Sequence, residues 1–291
     1  MGFARFVAIM GFANSGGALG AGHITKITKE CTLLFGAANV DLWEYVPSAN
    51  AYREHLYELV DGKIVWPSIN GPIPAAWPTL PAGKVGFYTI YPNPTQLLAG
   101  ELDTQLKAFI NSAPAQGGVL TSYAEADADP GSGGQFAPLG LTQDVLYRVH
   151  AHLQNLCRGT KVKYGAVFCG VSPESVAFAI SGLDFYALDW YDTWQPPVFE
   201  ALNEWALNVA ALQPYPVLAI AETNSNVEAR RPFWFTAVYG WLKSYQMAHP
   251  DEVLGYWSYW HGGGPLSGPW LPDDTATIAA LTSIGTDAQQ A

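Results

Sequence analysis

Eight short apolar or β-branched runs recur along this chain, mostly separated by stretches of helical periodicity, and that alternation limits its fold more than any other feature. The runs are RFVAIMGF from Arg5, TLLFGAANV from Thr32, KVGFYTIY from Lys84 and GGVLTSYAE from Gly117, followed by VKYGAVFCG from Val162, DFYALDWYD from Asp184, PVLAIAETN from Pro216 and VLGYWSYWH from Val253. Several are nearly continuous in apolar character, as parallel strands buried on both faces must be. Between them, Val145, Leu146, Val149, Leu153 and Leu156 form one helical stripe. Val198, Phe199, Leu202, Trp205, Ala206 and Val209 form a second, and Phe235, Val238, Tyr239 and Leu242 a third. Ser172 followed by Pro173 predicts a capped helix start, and Asp273 or Asp274 opens a last helix.

The pattern predicts an α/β chain forming one (β/α)8 TIM barrel over residues 1–291. Residues 47–81 carry six prolines and read as an irregular excursion, with a short helix near Tyr52–Leu59. The rival is a doubly wound open sheet, with Gly16, Gly17, Gly20 and Gly22 after the first strand and Asp41 near a ribose-binding position. Those glycines do not make the GxGxxG pattern, which ranks the rival below the barrel.

Composition narrows the function. The charged fraction is only 13% against 49% hydrophobic, so the chain can fill a large core. Twenty-five acidic side chains against 14 basic ones give a formal charge of −11, which excludes phosphate-backbone binding; no nucleic-acid partner is expected. Cys31, Cys157 and Cys169 lack metal-ligand spacing and read as buried free thiols, so no metal and no cofactor is expected. His150 and His152 stand two apart on a helix and point in different directions. No apolar stretch is long enough for a membrane span. The start reads as a first strand rather than a signal peptide, which implies virion association or release without a classical signal.

In a barrel the working residues sit at the carboxyl ends of the strands. Here those ends hold Glu125 at the close of run four and Glu222 near the close of run seven. Candidate substrate contacts are Trp43, Tyr123, Asp127, Asp189, Trp190, Tyr191, Asn224, Trp257, Trp260 and His261. Carboxylates, amides and indoles with little Lys or Arg suit a neutral polyhydroxylated ligand. Glycoside hydrolysis needs two carboxyl groups across the scissile bond, one to protonate the leaving oxygen and one to attack or to activate water. Glu222, a single acid ending an apolar strand, reads as one of them; a pairing with Arg230 or Arg231 is the alternative. Glu125 shares its loop with Asp127 and Asp129, and either Glu125 or Asp127 can be the acid. There is no GxSxG elbow and no HExxH motif.

The segments LTSYAEAD, FYALDWYD, PVLAIAETN and GYWSYWHGGG together resemble the retaining glycoside hydrolases of family 26, the group that includes the β-mannanases. The resemblance implies that Glu222 is the nucleophile and Glu125 the acid/base. The family usually has His directly before its acid/base, where this chain has Ala124. A second reading is therefore a barrel that binds glycan without cleaving it, such as a bacteriophage minor tail protein contacting the host envelope, with other virion tail proteins as partners.

Overall fold

The computed structural model describes residues 7–11, 40–43, 58–60, 63–65, 73, 76–77, 87–115, 117–137, 140–192, 198–249, 253–260, 263–264, 268–269 and 274–290. Its centre is an eight-stranded parallel sheet. The strands are β1 (Val7–Gly11), β2 (Val40–Trp43), β5 (Phe87–Ile90), β6 (Gly118–Ser122), β7 (Val162–Phe168), β8 (Phe185–Tyr191), β9 (Leu218–Asn224) and β10 (Val253–Trp260). Two small hairpins complete the strand set: β3 (Glu58–Val60) with β4 (Lys63–Val65), and β11 (Gly263–Gly264) with β12 (Gly268–Pro269).

The order across the sheet is β2-β1-β10-β9-β8-β7-β6-β5. The first strand pairs in parallel with the last, Val7 beside Tyr256 and Gly11 beside Trp260. Sequence order then runs one way around the sheet, with no point of reversal such as a doubly wound sheet requires. The two outer strands, β2 and β5, approach each other within 8 Å between Cα atoms. The doubly wound rival is thus set aside; its Gly16–Gly22 loop lies outside the described residues.

The burial of these strands follows from their sequences. Every residue of β6 is buried, and in β7 only Lys163 is exposed. Helices cover the outer face: α1 (Pro94–Leu98), α2 (Asp103–Asn111), α3 (Gln143–Cys157), α4 (Pro173–Val176), α5 (Val198–Leu212), α6 (Arg231–Ala248) and α7 (Thr275–Gln290). On α3 the stripe turns Leu146, Val149 and Leu153 inward, and Thr142 caps its start by accepting from Val145 N–H. Ser172 caps α4 ahead of Pro173, as expected. Asp274 caps α7, its Oδ1 accepting from Thr277 N–H at 2.7 Å.

Some sequence expectations fail. The second run places its strand over Thr32–Val40, whereas the strand begins at Val40 and continues to Trp43; residues 32–39 lie outside the described set. The helix expected near Tyr52–Leu59 is contradicted at its end, because Glu58 and Leu59 belong to the β3–β4 hairpin. Phe199, assigned to the inward stripe of α5, is exposed. Part of the proline-rich excursion packs firmly on α2. Trp77 stacks on Phe109 at 4.8 Å, its backbone N–H donates to Ser112 Oγ at 2.7 Å, and Gln105 Nε2 donates to the Ile73 carbonyl at 2.7 Å. Gly118 permits this approach, since a Cβ there would lie 2.3 Å from the Trp77 ring.

Candidate active site at the carboxyl end of the sheet

The strand β6, fourth of the eight sheet strands in chain order (β8 is sixth and β9 seventh), ends in a tightly wound loop. Tyr123 and Glu125 both take left-handed backbone conformations, at φ 50° and 58°, and Asp129 follows at 57°. Such angles are uncommon outside glycine and persist where surrounding contacts enforce them. Glu125 N–H donates to the Val167 carbonyl on β7 at 2.9 Å, and Ala128 N–H donates back to the Glu125 carbonyl at 2.9 Å. Glu125 itself is half-buried.

Two other residues of this loop prove to be scaffolding. Tyr123 is only 2% exposed; its hydroxyl donates to the Pro92 carbonyl, and its ring meets Tyr91 and Phe136 edge-on or nearly so. Tyr123, expected as a substrate contact, is packed among these rings. Asp127 is only 1% exposed. Its carboxylate accepts from Cys169 N–H at 3.0 and 3.2 Å and from Gly170 N–H at 2.8 Å, which ties the strand-four loop to the end of β7. A Cβ on Gly170 would fall 2.1 Å from Ser175 Oγ, so glycine admits this close approach. Burial raises the Asp127 pKa, and the bonds from Cys169, Gly170 and Ser175 oppose the shift without cancelling it. Asp127, expected as a sugar contact or as the acid, is here a buried brace between the strand-four loop and the end of β7.

Cys169 marks where the acids gather. Burial pushes its thiol pKa up, and the carboxylates of Asp127, Glu125 and Asp189 push it further. The thiol stays protonated and is no nucleophile. Its position shows that Glu125 from the strand-four loop and Asp189 from β8 share one electrostatic neighbourhood. Cys157, buried at the last position of α3, is also a free thiol, its pKa pushed up to about 12 by burial; Cys31 lies outside the described residues.

Glu222 joins this group through the sheet register. Leu188 stands beside Ile220, but Asp189 stands beside Glu222, so Ala221 is the extra residue of a β-bulge in β9. Bulges of this kind recur beside active sites, where they redirect the residues that follow. Beyond it, Thr223 Oγ1 donates to the Trp190 carbonyl at 2.7 Å and accepts from Trp234 Nε1 on α6 at 2.8 Å. Asn224 is fully buried, its Oδ1 accepting from Ser225 N–H at 2.6 Å, so its amide holds the strand end. Arg230 pairs with Asp192 at 2.7 Å, and Arg231 donates through Nε to the Ser225 carbonyl at 3.0 Å while reaching Asp274 at 3.8 Å.

The remaining candidates divide. Trp190 is 5% exposed and Asp189 2%, while Tyr191 is half-buried at the strand end. Trp43, Trp257 and Trp260 lie on β2 and β10, which run to the same end of the sheet. His261 lies outside the described residues, as does Trp270. Among the described residues no group of three or more His, Cys, Asp or Glu side chains is arranged to hold a metal ion, and no helix is long and apolar enough to cross a membrane.

Behind the strand-four end lies a polar chain that the sequence did not reveal. Ser122 Oγ and Tyr164 OH are 2.6 Å apart, and Tyr164 OH lies 2.9 Å from His150 Nδ1 on α3. A cavity of about 10 Å³ adjoins it, lined in part by Tyr123, Asp127 and Phe178. That is room for one water molecule. Burial lowers the His150 pKa to about 4, so the imidazole is neutral near pH 7. The expected divergence of the two histidines holds: His152 faces the other way and meets Asp103 at 2.7 Å.

Comparison of the sequence with protein-family models gives no match, and comparison with curated proteins gives none either. Solved structures do match. A ruminal GH26 endo-β-1,4-mannanase aligns with 98% of this chain and 64% of its own length, at a TM-score of 0.53 and 10% identity. A GH26 β-mannanase from Bacteroides ovatus aligns with 98% of this chain and 90% of its own, at a TM-score of 0.50 and 9% identity. A β-glycosidase aligns with 92% and 86%, at 0.51 and 10%. The chain is thus an α/β protein whose fold is similar to that of these glycoside hydrolases.

Proposed function

We propose that this protein is a retaining glycoside hydrolase whose sheet closes into an eight-stranded barrel through the β2–β5 seam. The observation that carries the reading is the convergence of acids at one end of the sheet: Glu125 after strand four, Asp189 on strand six, and Glu222 in register with Asp189 on strand seven. The likeness of fold to GH26 and other glycosidases supports it. The substrate is a neutral polysaccharide or cell-envelope glycan, with β-1,4-mannan the first to try because two neighbours are named as mannanases.

In the first step Glu125 gives its proton to the glycosidic oxygen as the anomeric C–O bond breaks, and the Glu222 carboxylate bonds to the anomeric carbon. In the second, Glu125, now a carboxylate, takes a proton from water; the water oxygen bonds to the anomeric carbon, and Glu222 is released. The mechanism requires the two carboxyl groups about 5–5.5 Å apart.

The test is hydrolysis of mannan, glucomannan, xylan and cellulose, with product anomers followed by NMR. Release of sugar with the anomeric configuration retained, abolished in Glu222→Gln, supports the reading. Inversion of configuration contradicts the mechanism, and binding without turnover favours the glycan-binding barrel.

A further inference from the structure

The left-handed backbone of Glu125 raises the question of what holds it, and one side chain answers. Gln135 Nε2 donates to the Ala124 carbonyl at 3.2 Å and also to the Glu125 carbonyl. These two carbonyls belong to the two peptide planes that flank the Glu125 Cα. The first plane is also fixed on its other side, by Glu125 N–H donating to Val167. The two soft dihedrals of Glu125 are therefore set between one amide and one neighbouring strand.

Gln135 is itself held in place. Gly134 sits at φ 92°, and a Cβ there would lie 2.3 Å from the Ala126 carbonyl and 2.6 Å from the Phe178 ring, so only glycine lets the chain lie this close to the Glu125 loop. On the other side Phe136 packs on Tyr91 and Tyr123, with ring centres at 5.9 and 5.5 Å. The segment from Asp129 to Ala137 is closed on itself by Gly134 N–H to the Asp129 carbonyl at 3.2 Å and Ala137 N–H to the Gly134 carbonyl at 3.0 Å.

We propose that Gln135 is a positioning residue for the acid/base, holding Glu125 in its left-handed conformation so that its carboxyl meets the leaving oxygen. This rests on the assignment of Glu125 as acid/base. Gln135 touches no substrate in this account; it acts only through the two carbonyls.

The full chain carrying Gln135→Met, which keeps length and loses both donors, separates this role from simple damage. The probes are β-1,4-mannan, whose leaving group needs a proton, and 2,4-dinitrophenyl β-mannobioside, whose leaving group does not. kcat/KM is expected to fall about 10–100-fold on mannan and to stay within about threefold on the aryl glycoside. Equal losses on both, or no loss on mannan, overturn the proposal. A second measurement does not depend on activity. Amide hydrogen exchange at Glu125 and Ala128 is expected to speed up about tenfold or more in Gln135→Met, with the amides of β9 unchanged. Should the wild type cleave neither probe, mannan is not its substrate, and the exchange result alone decides whether Gln135 holds the turn; unchanged exchange overturns it.

Discussion

The two strand ends that carry the glutamates are built in opposite ways. Glu222 lies within a regular strand, and one bulge residue, Ala221, is all that disturbs its ladder to β8. Glu125 lies beyond its strand, in a left-handed turn held by Val167, by Gln135 and, through Asp127, by the end of β7. A nucleophile must sit at a fixed distance from one carbon, and a ladder supplies that cheaply. An acid/base must serve two steps from the side of the bond, which calls for a turn that a strand cannot make. The cost appears at the strand-four end as left-handed backbone at Tyr123, Glu125 and Asp129 and as the buried Asp127 carboxylate that braces the turn.

Removal of the strand-seven group should have the larger effect. Glu222→Gln is expected to lower kcat on the wild-type polysaccharide roughly 10⁴-fold or more, because no covalent intermediate can form. A loss below about tenfold assigns the nucleophile elsewhere. Glu125→Gln should cost about 10²–10⁴-fold on the same substrate and little in kcat/KM on an aryl glycoside with a good leaving group. Identical losses on both substrates break the distinction between the two ends.

The support behind strand four gives smaller, pH-dependent effects. His150 has its pKa lowered to about 4 from an ordinary 6.5. The unfolded chain then binds more protons than the folded one between those values, so stability is full above about pH 6.5 and falls as pH drops towards 4, by roughly 3 kcal/mol. Chemical denaturation across that range should show the loss, and His150→Gln should flatten it. Asp127 has the opposite linkage: its folded pKa is raised above 3.8, so its share of stability falls as pH rises through the window above that value. Asp127→Asn should remove that slope while weakening the bonds to Cys169 and Gly170, with a net loss of about 1–2 kcal/mol measured by urea unfolding at pH 7. An unchanged slope would show that Asp127 is solvated.

Much of the sheet was legible because its chemistry is local. Seven of the eight runs contain their strands whole, since strands buried on both faces must be apolar throughout. The second run meets its strand only at Val40, because the strand VDLW carries an acid that lowers its apparent strength; residues 32–39 lie outside the described residues. The β3–β4 hairpin had a usable signal, Asp61-Gly62 between ELV and KIV, which the surrounding prolines obscured. At the strand ends, the place of Glu222 on β9 was legible, as one acid in an apolar strand. Tyr123, Asp127 and Gln135 were not, because their roles depend on contacts with Pro92, Gly170 and the Glu125 turn, each made across the fold or by a loop folding back on itself. A neutral, buried His150 was equally hidden: its partner Tyr164 lies on the following strand.

The central claim, that the two differently built strand ends hold their carboxyls across one cleft, is tested most directly by a crystal structure with a bound glycan. The carboxyl groups of Glu125 and Glu222 are predicted to lie about 5–5.5 Å apart on either side of the scissile bond. A separation beyond about 9.5 Å, or either carboxyl turned out of the cleft, would contradict the account.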